Sequence, residues 1–265
     1  MKLKTSLLIY MTLLSVILSF AQDNTTNKHI IKVLSFNIYH GETMNHQFDL
    51  DIIAKVINDA KPDFVAMQEV DRNTHRAKDM DLTTELGIRT RMVPLFGKAM
   101  DFDNGEYGEG ILSRYCFLQT KNIALPYSEG NEPRAALKTT TILPWGDTIC
   151  FIGTHLDHLE NDIDRVKQAK AINRIITDKS FPCLLAGDLN DTPNSQTINI
   201  LEEVWESSYN KSKAKPTYPS VNPSRKIDYV MFYPKDKWRV LKTEVIQDSI
   251  ASDHCAYLVT LEFLK

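Results

Sequence analysis

Between residues 91 and 154, five strand-like runs follow one another with no helical pattern between them: 91–100, 110–113, 116–124, 135–143 and 148–154. A parallel neighbour needs a long crossover, usually a helix, so strands this closely spaced must pair largely antiparallel. Helical spacing lies on both sides of this stretch. Apolar residues at 50, 53, 54 and 57 predict a helix over 50–60, stopped by Pro62-Asp63. A short helix is expected over 82–86, ended by Gly87. Another is expected from a cap at Asn161 or Asp162 to about 178, with Ile163, Val166, Ala169, Ile172 and Ile176 on one face. A fourth covers 195–204, and further strands cover 30–36, 64–67, 183–186, 227–233, 238–246 and 256–264. Many strands with few helices predict an α/β chain of two packed sheets with helices outside.

The first 21 residues have a different character. Lys2 and Lys4 precede an apolar run from 7 to 18, and Ser19-Phe20-Ala21 offers small residues for cleavage. This is the pattern of a signal peptide over 1–21, too short to span a bilayer, so an exported protein (periplasmic or secreted) is expected. A short tail over 22–29 would then lead into one domain over 30–265, with no second long apolar run. The net charge of −3 becomes −5 once Lys2 and Lys4 are lost. That balance argues against tight, sequence-blind binding to duplex DNA, though a local basic groove stays open. Cys116, Cys150, Cys183 and Cys255 have no C-x-x-C spacing and sit in apolar runs, so buried thiols are expected.

The placement of polar residues carries the chemistry. Strand after strand ends in an acid, an amide or a histidine: Asn37; Glu69; His155 and Asp157; Asp188 and Asn190; Asp228; Asp253 and His254. A lone Asp after a strand is usually a turn former or a helix cap. Several such ends brought side by side would crowd carboxylates that repel one another unless a cation sits among them. Oxygen ligands suit Mg²⁺, with Mn²⁺ or Ca²⁺ as alternatives, better than Zn²⁺.

The ordered series Ser35-Phe36-Asn37, Gln68-Glu69-Val70-Asp71, Ile111-Leu112-Ser113-Arg114, Gly153-Thr154-His155-Leu156-Asp157, Gly187-Asp188-Leu189-Asn190, Ile227-Asp228-Tyr229 and Ser252-Asp253-His254 resembles the endonuclease/exonuclease/phosphatase superfamily. The resemblance runs from about 30 to 260. It implies a four-layer α/β/β/α sandwich of two mixed sheets with outer helices, and divalent-metal cleavage of a phosphate ester. Carried over by motif, Glu69 would be the main metal ligand, with Asn37 and Asp253 beside it. Asp188 and Asn190 would position water and hold a phosphate oxygen. His254 would contact phosphate or act as base, oriented by Asp228. His155 would stabilise the phosphate or protonate the leaving oxygen, supported by Asp157. Arg114 and Arg134 would meet the substrate together with Asn37 and Asp157. At Glu109 many relatives carry an Asn that faces the phosphate; a carboxylate there would repel it unless it binds a second metal or turns away.

The expected activity is that of a Mg²⁺-dependent phosphoric ester hydrolase acting on a lipid head group or other small phosphoester. A secreted nuclease is the alternative, drawing on Lys211, Lys213, Lys215, Arg225 and Lys226 with Tyr209 and Tyr218 interleaved, and on Arg72, Arg76, Arg89, Arg91 and Arg134 as a rim. A binding protein with a decayed site is a third reading. No protein partner and no transmembrane segment in the mature chain are expected. Weak surface contact through Trp145, Trp205 or Trp238 stays open.

Overall fold

Alternation along the strands sorts apolar side chains into three separate cores, and this sets the layering. In β1 (His29–Asn37), Ile31 and Val33 face one core while Leu34 and Phe36 face another. In β7 (Thr148–His155), Ile149 and Phe151 enter the first of these, and Cys150 and Ile152 a third. A strand buried on both faces needs cover on both faces. The computed structural model, which describes residues 29–176 and 181–265, supplies it as a four-layer sandwich. The expected signal peptide, most of the tail and the last residues of the helix expected to reach 178 lie outside the described residues. Among those described, no helix is long and apolar enough to cross a membrane.

The first sheet joins β1 to β2 (Phe64–Arg72), β3 (Val93–Phe102), β4 (Gly105–Ser113), β11 (Trp238–Ile246) and β12 (Ala256–Phe263), in the order β11-β12-β1-β2-β4-β3. The second joins β7 to β5 (Phe117–Ala124), β6 (Ala135–Ile142), β8 (Cys183–Asp188), β9 (Glu206–Ser207) and β10 (Asp228–Tyr233), in the order β5-β6-β7-β8-β10-β9. Each sheet has one parallel pair at its centre, β1 with β2 and β7 with β8, and every other pairing is antiparallel. Each parallel pair is linked through a helix, α1 (Leu50–Ala60) or α3 (Ile163–Ile175). With α2 (Leu82–Thr90) and α4 (Gln196–Glu202), these helices cover the outer faces.

Helix α1 has the expected bounds, with the Asp49 carboxylate accepting from the Asp51 and Ile52 amides. Two helical expectations are corrected. Gly87 does not end α2; the helix runs on to a left-handed Arg91. A Cβ at Gly87 would sit 3.0 Å from the Met92 carbonyl and from Pro94, so this glycine permits a close approach to the chain entering β3. In α3, Ile163 is exposed, and the buried face carries Asp164, Arg165 and Gln168 beside Ala169 and Ile172. These polar groups hold loops. Asp164 accepts from the Ser128 amide, the Ser128 hydroxyl and Asn131. Gln168 accepts from the Asp157 amide and donates to the Pro126 carbonyl. Cys150, Cys183 and Cys255 are buried as expected, but Cys116 is exposed.

Candidate active site

Strand direction explains why the polar ends meet. The parallel strands contribute their C-terminal ends, so Asn37 lies opposite Gln68, next to Glu69, and His155 lies opposite Asp188. The antiparallel neighbours contribute their N-terminal ends: Asp228 pairs with Asp188, and β12 starts beside the end of β1 with Asp253 and His254 just before it. A shift of register in β2 after Met67, with Glu69 at φ 56, turns Glu69 out of the ladder. Ser252 fastens the last loop, donating to the Asn37 carbonyl at 2.7 Å and accepting from the His254 amide.

The result is one pocket of ≈ 430 Å³. Glu69, Arg134, His155, Asp188, Asn190, Asp253 and His254 all line it. Asn37 lies buried beneath, its Nδ2 donating to Glu69 Oε1 at 3.0 Å and to Asp188 Oδ2 at 3.4 Å. Asp188 Oδ2 is 3.5 Å from Nε2 of both His155 and His254. His254 Nδ1 faces the two Asp228 oxygens at 3.1 and 3.2 Å. The Asn190 amide donates to Asp188 Oδ1 at 3.0 Å. Arg134 Nη1 lies 2.9 Å from His155 Nδ1. A guanidinium only donates, so Nδ1 accepts and the His155 proton sits on Nε2, on the side of the Asp188 carboxylate.

The two histidines are driven apart in charge. Burial and the Arg134 charge hold His155 well below its ordinary value, so it is neutral. Burial opposes charge on His254 as well, but the Asp228 and Asp188 carboxylates outweigh it and push the group up to about 10. Burial, with Asp228 adding to it, raises Asp188. Glu69 resists its own burial through hydrogen bonds from His40 and Asn37 and through the His254 charge, and is held at about 2, so it is ionised. Burial raises Asp253, and the Glu69 charge adds to the effect.

An ionised glutamate beside a second carboxylate and an amide is a donor set for a hard divalent cation. Of the expected ligands, Glu69 and Asp253 line the pocket, while Asn37 turns Nδ2 to Glu69 and its Oδ1 accepts from the Tyr39 amide at 3.1 Å. Among the described residues, the tightest grouping of possible ligand atoms is a different one: Asp188, Asp228 and His254, within 4.8 Å of one another. Its closeness is already explained by the Asp228–His254 hydrogen bonds and the imidazolium charge.

Several expected residues fall elsewhere. Arg114 is at the far end of the sandwich, donating to the Pro62 carbonyl at 2.7 Å, because β4 runs antiparallel to β2 and only its start reaches the pocket. Asp157 is buried outside the pocket, accepting from the Leu159 amide in a loop that Arg165 and Gln168 brace. Glu109 does not line the pocket either. Neither of its carboxyl oxygens has a partner, and burial pushes its pKa well above the carboxylate range. Burial thus favours its neutral form, and it lies away from the pocket lining. Of the expected basic track, Arg225 and Tyr218 reach the pocket, but Lys211, Lys213 and Lys215 do not. Lys226 is buried over the Tyr257 ring. Arg76 and Arg134 line the pocket, but Arg72 pairs with Glu106, Arg89 with Asp51 and Glu85, and Arg91 caps α2. Trp205 and Trp238 are buried and offer no surface contact.

Sequence reasoning missed His40, Met100, Phe102, Tyr107, Glu132 and His158, which also line the pocket. The turn Asp103-Asn104-Gly105, with φ 47 and 60 at its first two residues, was a legible hairpin signal that brings Met100, Phe102 and Tyr107 together.

The chain is thus a two-sheet sandwich with a carboxylate- and histidine-lined pocket at one end. The model of the Endonuclease/Exonuclease/phosphatase family matches residues 34–254, and the chain belongs to that family, whose members are hydrolases acting on phosphoesters. Solved structures share the fold. An endonuclease/exonuclease/phosphatase from Beutenbergia cavernae DSM 12333 is 24% identical with a TM-score of 0.77, over 89% of this chain and 72% of that one. The mannosyl-6-phosphatase of Bacteroides thetaiotaomicron VPI-5482 is 18% identical with a TM-score of 0.69, over 88% of this chain and 100% of that one. The human Nocturnin catalytic domain is 18% identical with a TM-score of 0.69, over 90% of this chain and 98% of that one.

Proposed function

We propose that the chain is a Mg²⁺-dependent phosphoesterase that hydrolyses a small phosphoester, lipid head groups included, after export under its N-terminal signal segment. The observation that carries the reading is that Glu69, Asp188 and His254, far apart in sequence, open into one pocket.

Asp188, its proton affinity raised by burial, takes the proton from a water held with the help of Asn190. The water oxygen attacks phosphorus, and the P–O bond to the leaving group breaks in line. Neutral His155 donates Nε2–H to a phosphoryl oxygen without adding a charge that Asp188 would neutralise. His254, held as an imidazolium by Asp228, gives its proton to the departing oxygen. A divalent cation held by Glu69, Asn37 and Asp253 supplies Lewis-acid neutralisation of phosphate oxygen charge when bound.

The test is hydrolysis of bis-p-nitrophenyl phosphate by purified residues 22–265 with Mg²⁺. Activity that EDTA abolishes and Mg²⁺ restores supports the reading; full activity in EDTA rejects it. Fractionation of cells expressing the full chain checks the export half of the proposal, which fails if the uncleaved protein stays in the cytoplasm.

A further inference from the structure

Asp228 holds His254, and the fold has to hold Asp228 without a strand on its outer side. The Leu189 amide donates to the Ile227 carbonyl at 2.9 Å, on the β8 side. In an antiparallel ladder the next residue turns the other way, so the Asp228 amide and carbonyl face the far edge of β10. The strand on that edge, β9, reaches only Met231 and Phe232. Two side chains stand in for the missing strand. The Thr217 hydroxyl accepts from the Asp228 amide at 3.2 Å, and Lys226 Nζ donates to the Asp228 carbonyl. Both side chains are buried, and neither lines the pocket.

Lys226 is held in place by aromatic rings. Nζ lies 3.1 Å from the ring centre of Tyr257, 5.1 Å from that of Tyr229 and 5.7 Å from that of Tyr209. A desolvated amine over an aromatic face is attracted by the negative charge of that face. Burial pulls the amine down to about 7 against the Asp228 charge, and with or without its last proton it still carries N–H groups to donate. It makes no salt bridge among the described residues. Lysine is seldom buried so deeply without an ion-pair partner, and an apolar side chain would fill the same space at less cost.

The cage joins two sheets. Tyr229 follows Asp228 in β10 of the second sheet, and Tyr257 lies in β12 of the first, just after His254. The Asp228–His254 hydrogen bonds cross the same gap, from the start of β10 to the loop before β12. Thr217 spans it too, its carbonyl accepting from the Cys255 amide at 2.8 Å. Resting on the phosphoesterase reading, we propose that Lys226 is a positioning residue: by bridging the Asp228 carbonyl and the Tyr257 ring, it fixes the separation of the sheets at which the Asp228 carboxylate meets His254 Nδ1. Lys226 acts through Asp228, and Thr217 serves the other main-chain group of the same residue.

Lys226→Met keeps the length and the apolar stem and removes the donor. With Mg²⁺ and bis-p-nitrophenyl phosphate it is expected to lower kcat at least about tenfold with KM within about twofold of wild type, since a misplacement of about 1 Å can cost up to about a hundredfold. In an Asp228→Asn background the same substitution should cost less than about twofold, because the group it places is already gone. In metal-free protein, the proton NMR signal of His254 Nδ1–H, assigned by its absence from His254→Ala, should be present in wild type and shifted or lost to exchange in Lys226→Met. Thr217→Val removes the hydroxyl that the Ile227 and Asp228 amides share and is expected to show the same pattern with a smaller drop in kcat. If Lys226→Met does not fold, Thr217→Val decides, and wild-type values there overturn the proposal. Wild-type kcat with an unchanged proton signal in Lys226→Met also overturns it, as does a loss that multiplies in full with that of Asp228→Asn. A wild-type protein inactive on the substrate overturns the phosphoesterase reading instead, and the proton signal then still tests the placement of His254 by Lys226.

Discussion

The two ends of the sandwich use similar residues to opposite effect. At the end away from the pocket, Asp63 accepts from the Lys32 amide at 2.8 Å and the Tyr115 hydroxyl at 2.9 Å. Its own amide donates to the Lys32 carbonyl, and its carbonyl accepts from the Arg114 amide. Asp63 and Arg114 there answer backbone needs of the fold. At the pocket end, Asp188, Asp228, His155 and His254 are buried, where Asp63 is only half-buried, and their neighbours are one another. Arg134, which lines the pocket, keeps its Nε without a hydrogen-bond partner. A buried polar group without a partner is costly, so such a group stays open to something that binds. A strand-end acid is thus a weak signal by itself. What distinguishes the site is that the protein does not satisfy it.

That contrast can be broken at either end. The largest effect is expected from chelation: EDTA should remove hydrolysis of bis-p-nitrophenyl phosphate entirely, measured by p-nitrophenol release, while leaving far-UV circular dichroism intact. Next, His254→Ala and Asp188→Asn should each lower kcat by at least about a hundredfold with folding retained. Near-normal turnover in either variant would remove that residue from the mechanism. A smaller effect is expected in the pH dependence of stability. His254 binds its proton more tightly folded than free, so its contribution is complete below about 6.5 and is lost as pH rises through about 10. Denaturant titrations in EDTA should show an alkaline loss that shrinks in Asp228→Asn, where the imidazolium loses its hydrogen-bond partner. At the other end, Asp63→Ala should cost about 1–3 kcal/mol of stability by leaving the Lys32 amide unpaired, with kcat unchanged. Arg114→Ala should do least, within about 0.5–1.5 kcal/mol for one hydrogen bond to a carbonyl. A large kcat loss in Arg114→Ala would reverse the comparison.

Much of this was legible in the chain itself. The alternation in β1 and the spacing in α1 predict elements whose bounds agree within a residue or so. The residues that end β1, β7 and β8 are those that meet in the pocket. Helix α3 was misread on Ile163 because its buried face is chosen by loops that need Asp164, Arg165 and Gln168, not by hydrophobicity. Glu109 read as a carboxylate that repels phosphate, binds a second metal or turns away, and it turns away: nothing local reveals that the fold buries it outside the pocket.

The amino-acid sequence determined the elements, their apolar faces and the polar residues at their ends, since these follow from local spacing. Only the tertiary structure decided which ends lie together. Ser113-Arg114 closes a strand as Asn37 does, yet it finishes at the opposite pole. Strand direction is set by pairing partners distant along the chain, and a strand reads the same in either orientation until its neighbour is known.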